Sequence, residues 1–273
     1  MVKKLFKHEI LSYMRQLLPA ECVMLGIALL VRLVQFAETD KSWYEVVFTS
    51  FVVALVVAVL VCLINVVVTV IKRFYTNMFT HEGYLTLTLP VTPFQHITVK
   101  ALIGALAVIE TLSVCFIGLC VSTFGEVMVE LFRAAGYYIT SFIDMCAKLG
   151  YGAHIAPWII EAVLLMLISL VSTILFYYLC ISVGQLSHKN RVAASFGFFF
   201  LVYFGVQILY TIFMVILAIT DFELFDDIAA FFEDHQVAGI HIILGGGAAL
   251  YAAFGALFFF ISHKIINTKL NIE

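Results

Sequence analysis

The chain has 273 residues, of which 63% are hydrophobic and 12% charged, and its mean hydropathy is +1.09. Soluble globular domains carry about a quarter charged residues, so this composition excludes a soluble fold and indicates a multi-pass membrane protein. The formal net charge of −3 is small, and the division of lysine and arginine between the two sides of a membrane is more informative than the sum of charges.

Residues 1–17 are predicted to form an amphipathic helix at the membrane interface. Basic side chains alternate with apolar ones, and the apolar positions recur on one helical face: Leu5, Phe6, Ile10, Tyr13 and Leu17. A basic helix with one apolar face is typical of segments that lie in the interface. A positively charged leader that only sets the topology fits the same pattern, and both interpretations stay open.

Six apolar segments follow, and each has about the 20 residues that a helix needs to cross the hydrocarbon core. Several are rich in valine and isoleucine, but the backbone of a lone strand would be unsatisfied in lipid, so helices are predicted. The predicted spans are Leu18–Phe36, Tyr44–Ile71, Ala101–Val121, Trp158–Val183, Val192–Thr220 and Ile240–Ile261. The expected fold is an all-α polytopic membrane protein with a single transmembrane domain over residues 1–273.

The distribution of lysine and arginine predicts the orientation. With the N-terminus inside, 11 of these residues fall in inner segments and three, Lys41, Arg133 and Lys148, in outer segments. Cytoplasmic segments of membrane proteins carry the excess of basic residues. Both the N-terminus and the C-terminus are therefore predicted to be cytoplasmic.

Two predicted external loops have distinct characters. The loop at 122–157 contains an amphipathic pattern over residues 125–149, which predicts a helix at the outer membrane surface. The loop at 221–239 is short and acidic, and its charge would repel an anionic lipid surface. It is interpreted as a plain loop, with a role in shaping an external gate as the alternative.

No sequence motif points to catalysis. The phosphate-binding pattern GxxxxGK[ST], the metalloprotease pattern HExxH and the nucleophile pattern GxSxG do not occur in the chain. The six cysteines show no CxxC spacing, and no carboxylate cluster with metal-ligand spacing lies within the spans. We expect no catalytic residue, no metal site, no bound cofactor and no contact with nucleic acid.

Among the ionisable residues of the spans, Glu110 stands out because it lies midway along the third, where burying a charge is costly. It either lines a polar pathway or is protonated and hydrogen-bonded to another helix. Glu21 and Glu45 lie near span ends and are expected to reach the interface. Glu161 and His241, near the outer ends of the fourth and sixth spans, are interpreted as interfacial residues.

The sixth span repeats small residues every four positions, which lets helix backbones approach closely. The repeats are Gly245, Ala249, Ala253 and Ala248, Ala252, Ala256. Packing within the chain is the preferred interpretation.

The longest inner interruption between spans is residues 72–100, and it is the best candidate for contact with a soluble partner. Basic residues stand at its two ends: Lys72, Arg73 and Lys100. Aromatic side chains, a lone carboxylate and two prolines lie between them, and Pro90 and Pro93 would stiffen the exit by fixing φ. A loop whose aromatic rings dip into lipid is the alternative.

This stretch resembles the cytoplasmic loop between the second and third spans of bacterial type-2 ATP-binding-cassette (ABC) exporter permeases. The resemblance is carried by the order Arg73-Phe74-Tyr75, Phe79, His81-Glu82-Gly83-Tyr84, then LTLTLPV and finally Lys100. The N-terminal FKHEILSYMRQLLP is similar to the interfacial helix of the same permeases. The resemblance covers most of the chain in layout, and only these two inner segments in residues.

The resemblance implies a permease subunit in a bacterial cell membrane that pairs with a second permease subunit, identical or not. Two separate ATPase subunits, which hold the ATP and magnesium, would dock on this chain. The docking residues would be Phe74, Tyr75, Phe79, Glu82, Gly83, Tyr84, Leu85, Leu87 and Pro90. The apolar spans favour a hydrophobic or amphipathic cargo such as a peptide, lipid or drug. In many relatives the external gate lies between the fifth and sixth spans, whereas here the longer external loop follows the third.

Two other functional classes stay open. One is a membrane scaffold or sensor that binds a partner and transports nothing. The other is an ion-driven secondary transporter with Glu110 as proton carrier, for which a repeat between the two halves would be usual. No convincing repeat is visible in the sequence.

Overall fold

The computed structural model describes residues 2–37, 42–80, 92–187, 190–220, 227 and 230–269, and these residues form helices and short turns without strands. The long helices are α1 (Val2–Phe36), α2 (Ser42–Phe79), α3 (Pro93–Ser122), α4 (Glu126–Lys148), α5 (Ile155–Gly184), α6 (Arg191–Thr220) and α7 (Gln236–Lys269). A 3-10 turn at Gly152–His154 precedes α5, and residues 230–234 are also helical.

Six of these helices, all except α4, are long and apolar enough to cross a membrane. This confirms the prediction of an all-helical chain with six membrane-crossing helices, the architecture of a multi-pass membrane protein. Most of these helices are longer than the predicted spans. The 38 residues of α2 would extend roughly 57 Å, against about 30 Å for the hydrocarbon core. Such helices must project beyond the lipid or tilt within it.

Helix α1 is continuous through the segment predicted as an interfacial helix at 1–17, and the location of that segment in the membrane interface stays a prediction. It runs without a break from Val2 to Phe36 and includes Pro19 in its interior. A proline in a helix removes one backbone hydrogen bond, but the buried side chains Tyr13 and Leu17 before it and Met24 after it follow one packed face. Continuous packing along this face explains why the helix passes through residue 17 without a break.

The chain consists of two compact units, Met1–Asp144 (unit 1) and Met145–Glu273 (unit 2). In unit 1, α1 packs against both α2 and α3. Contacting residues of α1 and α3 stay 91 and 90 positions apart at Glu9–Lys100 and Glu21–Thr111, so these helices are parallel. Contacting residues of α1 and α2 are 64 and then 49 apart, as antiparallel helices require.

An apolar core joins α1, α2 and α3. Its buried members are Met24, Ala28, Val31, Leu55, Cys62 and Cys115. Gly118 of α3 allows the closest approach, because a Cβ atom at this position would lie 2.5 Å from the Met24 sulfur. A side chain at residue 118 would therefore require the end of the Met24 side chain to move.

In unit 2, α5 packs against α6 and, most extensively, against α7. Glu161 meets His241 and, further along, Phe176 meets Phe258, so α5 and α7 run parallel. A Cβ atom on Gly255 would lie 3.3 Å from the Cβ and Oγ atoms of Ser172. Small residues of α7 do face α5, as expected, but the contact is made by Gly247 and Gly255.

The first small-residue repeat chosen from the sequence, Gly245, Ala249 and Ala253, does not form this contact. Gly245 has no neighbour within 4 Å of a Cβ position, and Ala249 and Ala253 are exposed in unit 2. Several small-residue ridges occur around α7, and the sequence does not show which of them faces α5.

The amphipathic segment at 125–149 is confirmed as a helix, α4, although its position at a membrane surface stays a prediction. Its apolar residues Leu131, Phe132, Ile139 and Phe142 are exposed. Most of the predicted acidic loop at 221–239 before residue 230 lies outside the described residues, and α7 begins at Gln236.

Candidate functional site

Helices α1, α2 and α3 of unit 1 meet in a buried ionic cluster, defined here as Glu9, Arg73 and Lys100. Glu9 of α1 accepts from Arg73 of α2 at 2.6 Å (Oε2–Nη2) and from Lys100 of α3 at 2.5 Å (Oε1–Nζ). The three residues are only 3%, 7% and 2% exposed. One carboxylate thus joins three helices that are far apart in the sequence.

Neighbouring polar groups complete the ionic cluster. Asn77 Nδ2 donates to Glu9 Oε1 at 3.1 Å, Arg73 Nη1 donates to the hydroxyl of Ser12, and the Arg73 guanidinium lies 4.9 Å from the centre of the Tyr13 ring. A buried ion pair is stable only when its remaining polar atoms are also satisfied. Removing one partner from such a pair typically costs about 3–5 kcal/mol.

His96 lies beside the ionic cluster, one helical turn before Lys100, and is fully buried. Within the described residues, neither of its ring nitrogens has a hydrogen-bond partner, and the same holds for Arg73 Nε. Buried polar atoms without partners are uncommon.

The ionic cluster lies at the two ends of the predicted partner-binding stretch, residues 72–100, because Arg73 and Lys100 belong to those ends. Helix α2 continues to Phe79 and α3 begins at Pro93, so the interruption predicted at 72–100 narrows to a connection over residues 80–92. Thr92 caps α3 through a capping box with Gln95, in which each side chain accepts from the backbone N–H of the other residue. The connection is therefore bounded by the end of α2 at Phe79 and the start of α3 at Pro93.

The structure separates the predicted docking residues into three groups. Phe74 is fully buried, whereas Tyr75 and Phe79 are partly exposed. The Phe74 and Phe79 rings meet edge to face with centres 5.7 Å apart. The others lie outside the described residues, namely Glu82, Gly83, Tyr84, Leu85, Leu87 and Pro90.

The position of Phe74 differs from the expectation of an exposed aromatic contact. Val70, Phe74 and Met78 follow one another at helical spacing and are all buried. Because residues 72–79 are helical, Phe74 belongs to the packed face of α2. An exposed position was expected because the polar composition of this segment indicated a loop.

A second polar site lies nearer the middle of unit 1, between Glu21 and Glu110. Thr111 Oγ1 donates to Glu21 Oε1 at 2.8 Å, and Glu110 interacts electrostatically with Glu21. Glu21 is buried among the helices of unit 1, and its Oε2 has no hydrogen-bond partner among the described residues. Two neighbouring carboxyls away from water are unfavourable when both are ionised.

Sequence reasoning assigned Arg73 and Lys100 to membrane orientation and to the resemblance of the loop, and it gave Glu9 no role. One signal was present: Glu9 precedes Tyr13 and Leu17 at helical spacing, so it shares the apolar face of α1. A carboxylate on a packed face requires a cation, and the basic residues nearest to it on α1, Lys7 and Arg15, are exposed and lie off that face, so the cation must come from another helix. Within the residues that the structure describes, no group of three His, Cys, Asp or Glu side chains could hold a metal ion.

These features define the chain as a multi-pass membrane protein with an ionic cluster and a carboxyl pair in unit 1. Comparison with known proteins finds no matching family model, no matching curated protein and no matching solved structure. Its function is therefore argued from the residues themselves.

Proposed function

We propose that the chain is the transmembrane permease subunit of an ATP-driven exporter. Two separate ATPase subunits would bind through residues 72–100, and a second permease subunit would complete the pathway. The observation that carries the proposal is the ionic cluster, because it joins α1, α2 and α3 where α2 and α3 enter the connection at 80–92. The resemblance to type-2 ABC permeases supports the same assignment.

The ionic cluster makes mechanical coupling possible. A displacement of a flexible loop would be absorbed by the loop, whereas a displacement of the ends of α2 and α3 moves helices that are tied to α1 by a shared carboxylate. Glu9 and Glu21 are 12 residues apart on α1, which corresponds to roughly 18 Å along the helix axis. Half of the hydrocarbon core of a membrane is about 15 Å thick. If Glu21 and Glu110 lie near mid-membrane, the ionic cluster lies close to the membrane boundary.

In this proposal ATP binding and hydrolysis occur on the partner subunits, which hold the nucleotide and magnesium. The partly exposed rings of Tyr75 and Phe79 begin the docking surface, and the connection at 80–92 continues it. Closure of the ATPases would move the ends of α2 and α3 and alternate the bundle between inward-facing and outward-facing states. The apolar spans favour a hydrophobic or amphipathic cargo, and the basic residues favour cytoplasmic termini in a bacterial cell membrane.

The test is co-purification with the ATPase encoded by a neighbouring reading frame. Replacing residues 79–90 with a Gly/Ser linker of equal length should abolish assembly and stimulated ATP hydrolysis. The matched control replaces residues 130–141 of the exposed helix α4 in the same way and should leave both intact. Retained assembly and stimulation in the 79–90 variant would show that the docking assignment is wrong.

A second variant separates docking from coupling. Lys100→Met removes one cation of the ionic cluster and leaves the connection at 80–92 unchanged. We expect the ATPase to co-purify as before, but substrate-stimulated hydrolysis to fall at least several-fold, because α3 is no longer tied to Glu9. Stimulation equal to that of the parent protein would refute mechanical coupling through the ionic cluster.

The carboxyl pair favours a second candidate, an ion-driven transporter that carries protons on Glu110. A carboxyl near mid-membrane with a second carboxyl beside it is suited to bind and release a proton. In proteoliposomes, Glu110→Gln should then abolish proton-driven uptake without requiring an ATPase. Unchanged ATP-driven transport in the same variant would favour the exporter. A non-transporting scaffold or sensor predicts partner binding with no transport in either assay.

A further inference from the structure

The carboxyl pair of unit 1, Glu21 on α1 and Glu110 on α3, contains a buried acceptor that lacks a donor. The Thr111 hydroxyl donates to Glu21 Oε1 at 2.8 Å, and the Glu110 carboxyl lies within hydrogen-bonding reach of the Glu21 carboxyl. Glu21 is 2% exposed, and none of the described residues donates to its Oε2. One buried carboxylate oxygen beside a second carboxyl is thus left unsatisfied.

The ionic cluster shows how the same three helices neutralise a carboxylate with their own side chains. Glu9 accepts from Arg73 at one oxygen and from Lys100 at the other. Among the residues that the structure describes, neither Glu21 nor Glu110 forms an ion pair. Burying a carboxylate without a cation is costly. The carboxyl pair is therefore the place in unit 1 where a positively charged ligand would be stabilised.

The neighbouring thiols do not supply the missing donor. Cys62 of α2 and Cys115 of α3 are buried close to Glu21, and their side chains hydrogen-bond to each other. Both belong to the apolar core, together with Met24 and Ala28. The inner wall beside the carboxyl pair is therefore apolar.

The other side of the carboxyl pair is open within unit 1. Glu110 is partly exposed, and Leu106, Ser113 and Ile117 share its stripe of α3 at helical spacing and are exposed. A ligand that moves along this mostly apolar stripe meets Glu110 first and the buried oxygen of Glu21 behind it.

We propose that the carboxyl pair is a binding site for a lipophilic amine in its protonated form. The ammonium group lies between the two carboxyls and donates an N–H to Glu21 Oε2, while the apolar part of the ligand covers Leu106 and Ile117. An alkylammonium supplies a positive charge and three N–H donors together, and it is protonated at neutral pH.

An organic cation fits the carboxyl pair better than a metal ion does. In the part of the chain that the structure describes, no group of three His, Cys, Asp or Glu side chains could hold a metal ion. The apolar surroundings also suit a ligand whose charge is carried on an apolar body. In the exporter proposed above this amine would be the cargo, and that role rests on the proposed function.

The experiment measures the binding of dansylcadaverine, a primary amine with an apolar fluorescent ring, to the protein in phosphatidylcholine nanodiscs. Empty nanodiscs give the background from partition into lipid. We expect saturable binding that excess octylamine displaces. The N-acetyl derivative, which is uncharged, should show no saturable binding. The trimethylammonium derivative keeps the charge without an N–H donor, so its Kd should be at least about tenfold higher, because a hydrogen bond to a charged group is lost.

Three variants and a control assign the binding to the carboxyl pair. Glu21→Gln and Glu110→Gln should each raise the Kd for dansylcadaverine at least about tenfold, because one carboxylate is lost. Glu110→Asp keeps the carboxylate and should stay within a few-fold of the parent protein. Glu45→Gln, at an exposed position near the start of α2, is the matched control and should bind like the parent.

Absence of saturable binding, equal binding of the N-acetyl derivative, or parent-like affinity in either glutamine variant would overturn the proposal. Equal affinity for the trimethylammonium derivative would refute the hydrogen bond to Glu21 Oε2. The comparison of the three probes uses the unaltered protein, so it holds even where a variant fails to fold. No ATPase takes part, and a negative result therefore removes the cargo assignment while the exporter proposal keeps its own test by co-purification.

Discussion

Replacing Glu9 with glutamine tests the ionic cluster most directly. Glu9→Gln preserves size and removes the carboxylate charge that Arg73 and Lys100 share. The two cations remain in the interior with a neutral amide in place of their counter-charge. Breaking a buried pair in this way costs about 3–5 kcal/mol.

The magnitude follows from burial and geometry. Both carboxylate oxygens of Glu9 are used at 2.5–2.6 Å, and the three charged residues are nearly inaccessible to water, which would otherwise screen the loss. For a chain of this size about 1 kcal/mol corresponds to a change of roughly 2–4 °C in Tm. We expect the melting temperature in detergent to fall on the order of 10 °C.

The matched control is Glu130→Gln on the exposed surface of α4, which should shift the melting temperature by less than about 2 °C because surface changes cost little. A third variant, Glu9→Met with Arg73→Met and Lys100→Met, removes the whole ionic cluster. It should recover much of the lost stability, since apolar replacements of buried ion pairs are often neutral or stabilising. Equal melting of the Glu9 and Glu130 variants would refute the account of the ionic cluster.

Two further changes probe the packing around the candidate sites. Gly255→Val places a branched side chain where an added Cβ atom would lie 3.3 Å from Ser172, so it should lower the free energy of unfolding by about 1–3 kcal/mol. Gly245→Val, on the open side of α7, should be nearly neutral in the same thermal melts. Thr92→Ala removes the N-cap of α3 and should cost about 1 kcal/mol, with Thr92→Ser retaining most of the stability. Equal melting within either pair would contradict the packing or the capping described here.

Hydropathy was sufficient to predict six membrane-crossing helices because each needs only its own run of apolar residues. The amphipathic pattern predicted α4 for the same reason, since helical periodicity is a local property. The limits of α2 and α3 were not predictable in this way. Beyond the hydrocarbon core a continuing helix acquires polar residues, and residues 72–79 and 93–100 then have the composition of a loop.

The sites themselves depend on which helix faces meet. Glu9 is 64 residues from Arg73 and 91 from Lys100, and Glu161 is 80 residues from His241. The sequence alone determined that these residues are costly to bury in a largely apolar chain. Only the tertiary structure decided how that cost is offset, because parallel packing of α1 on α3 and of α5 on α7 brings each ionisable side chain to its partner.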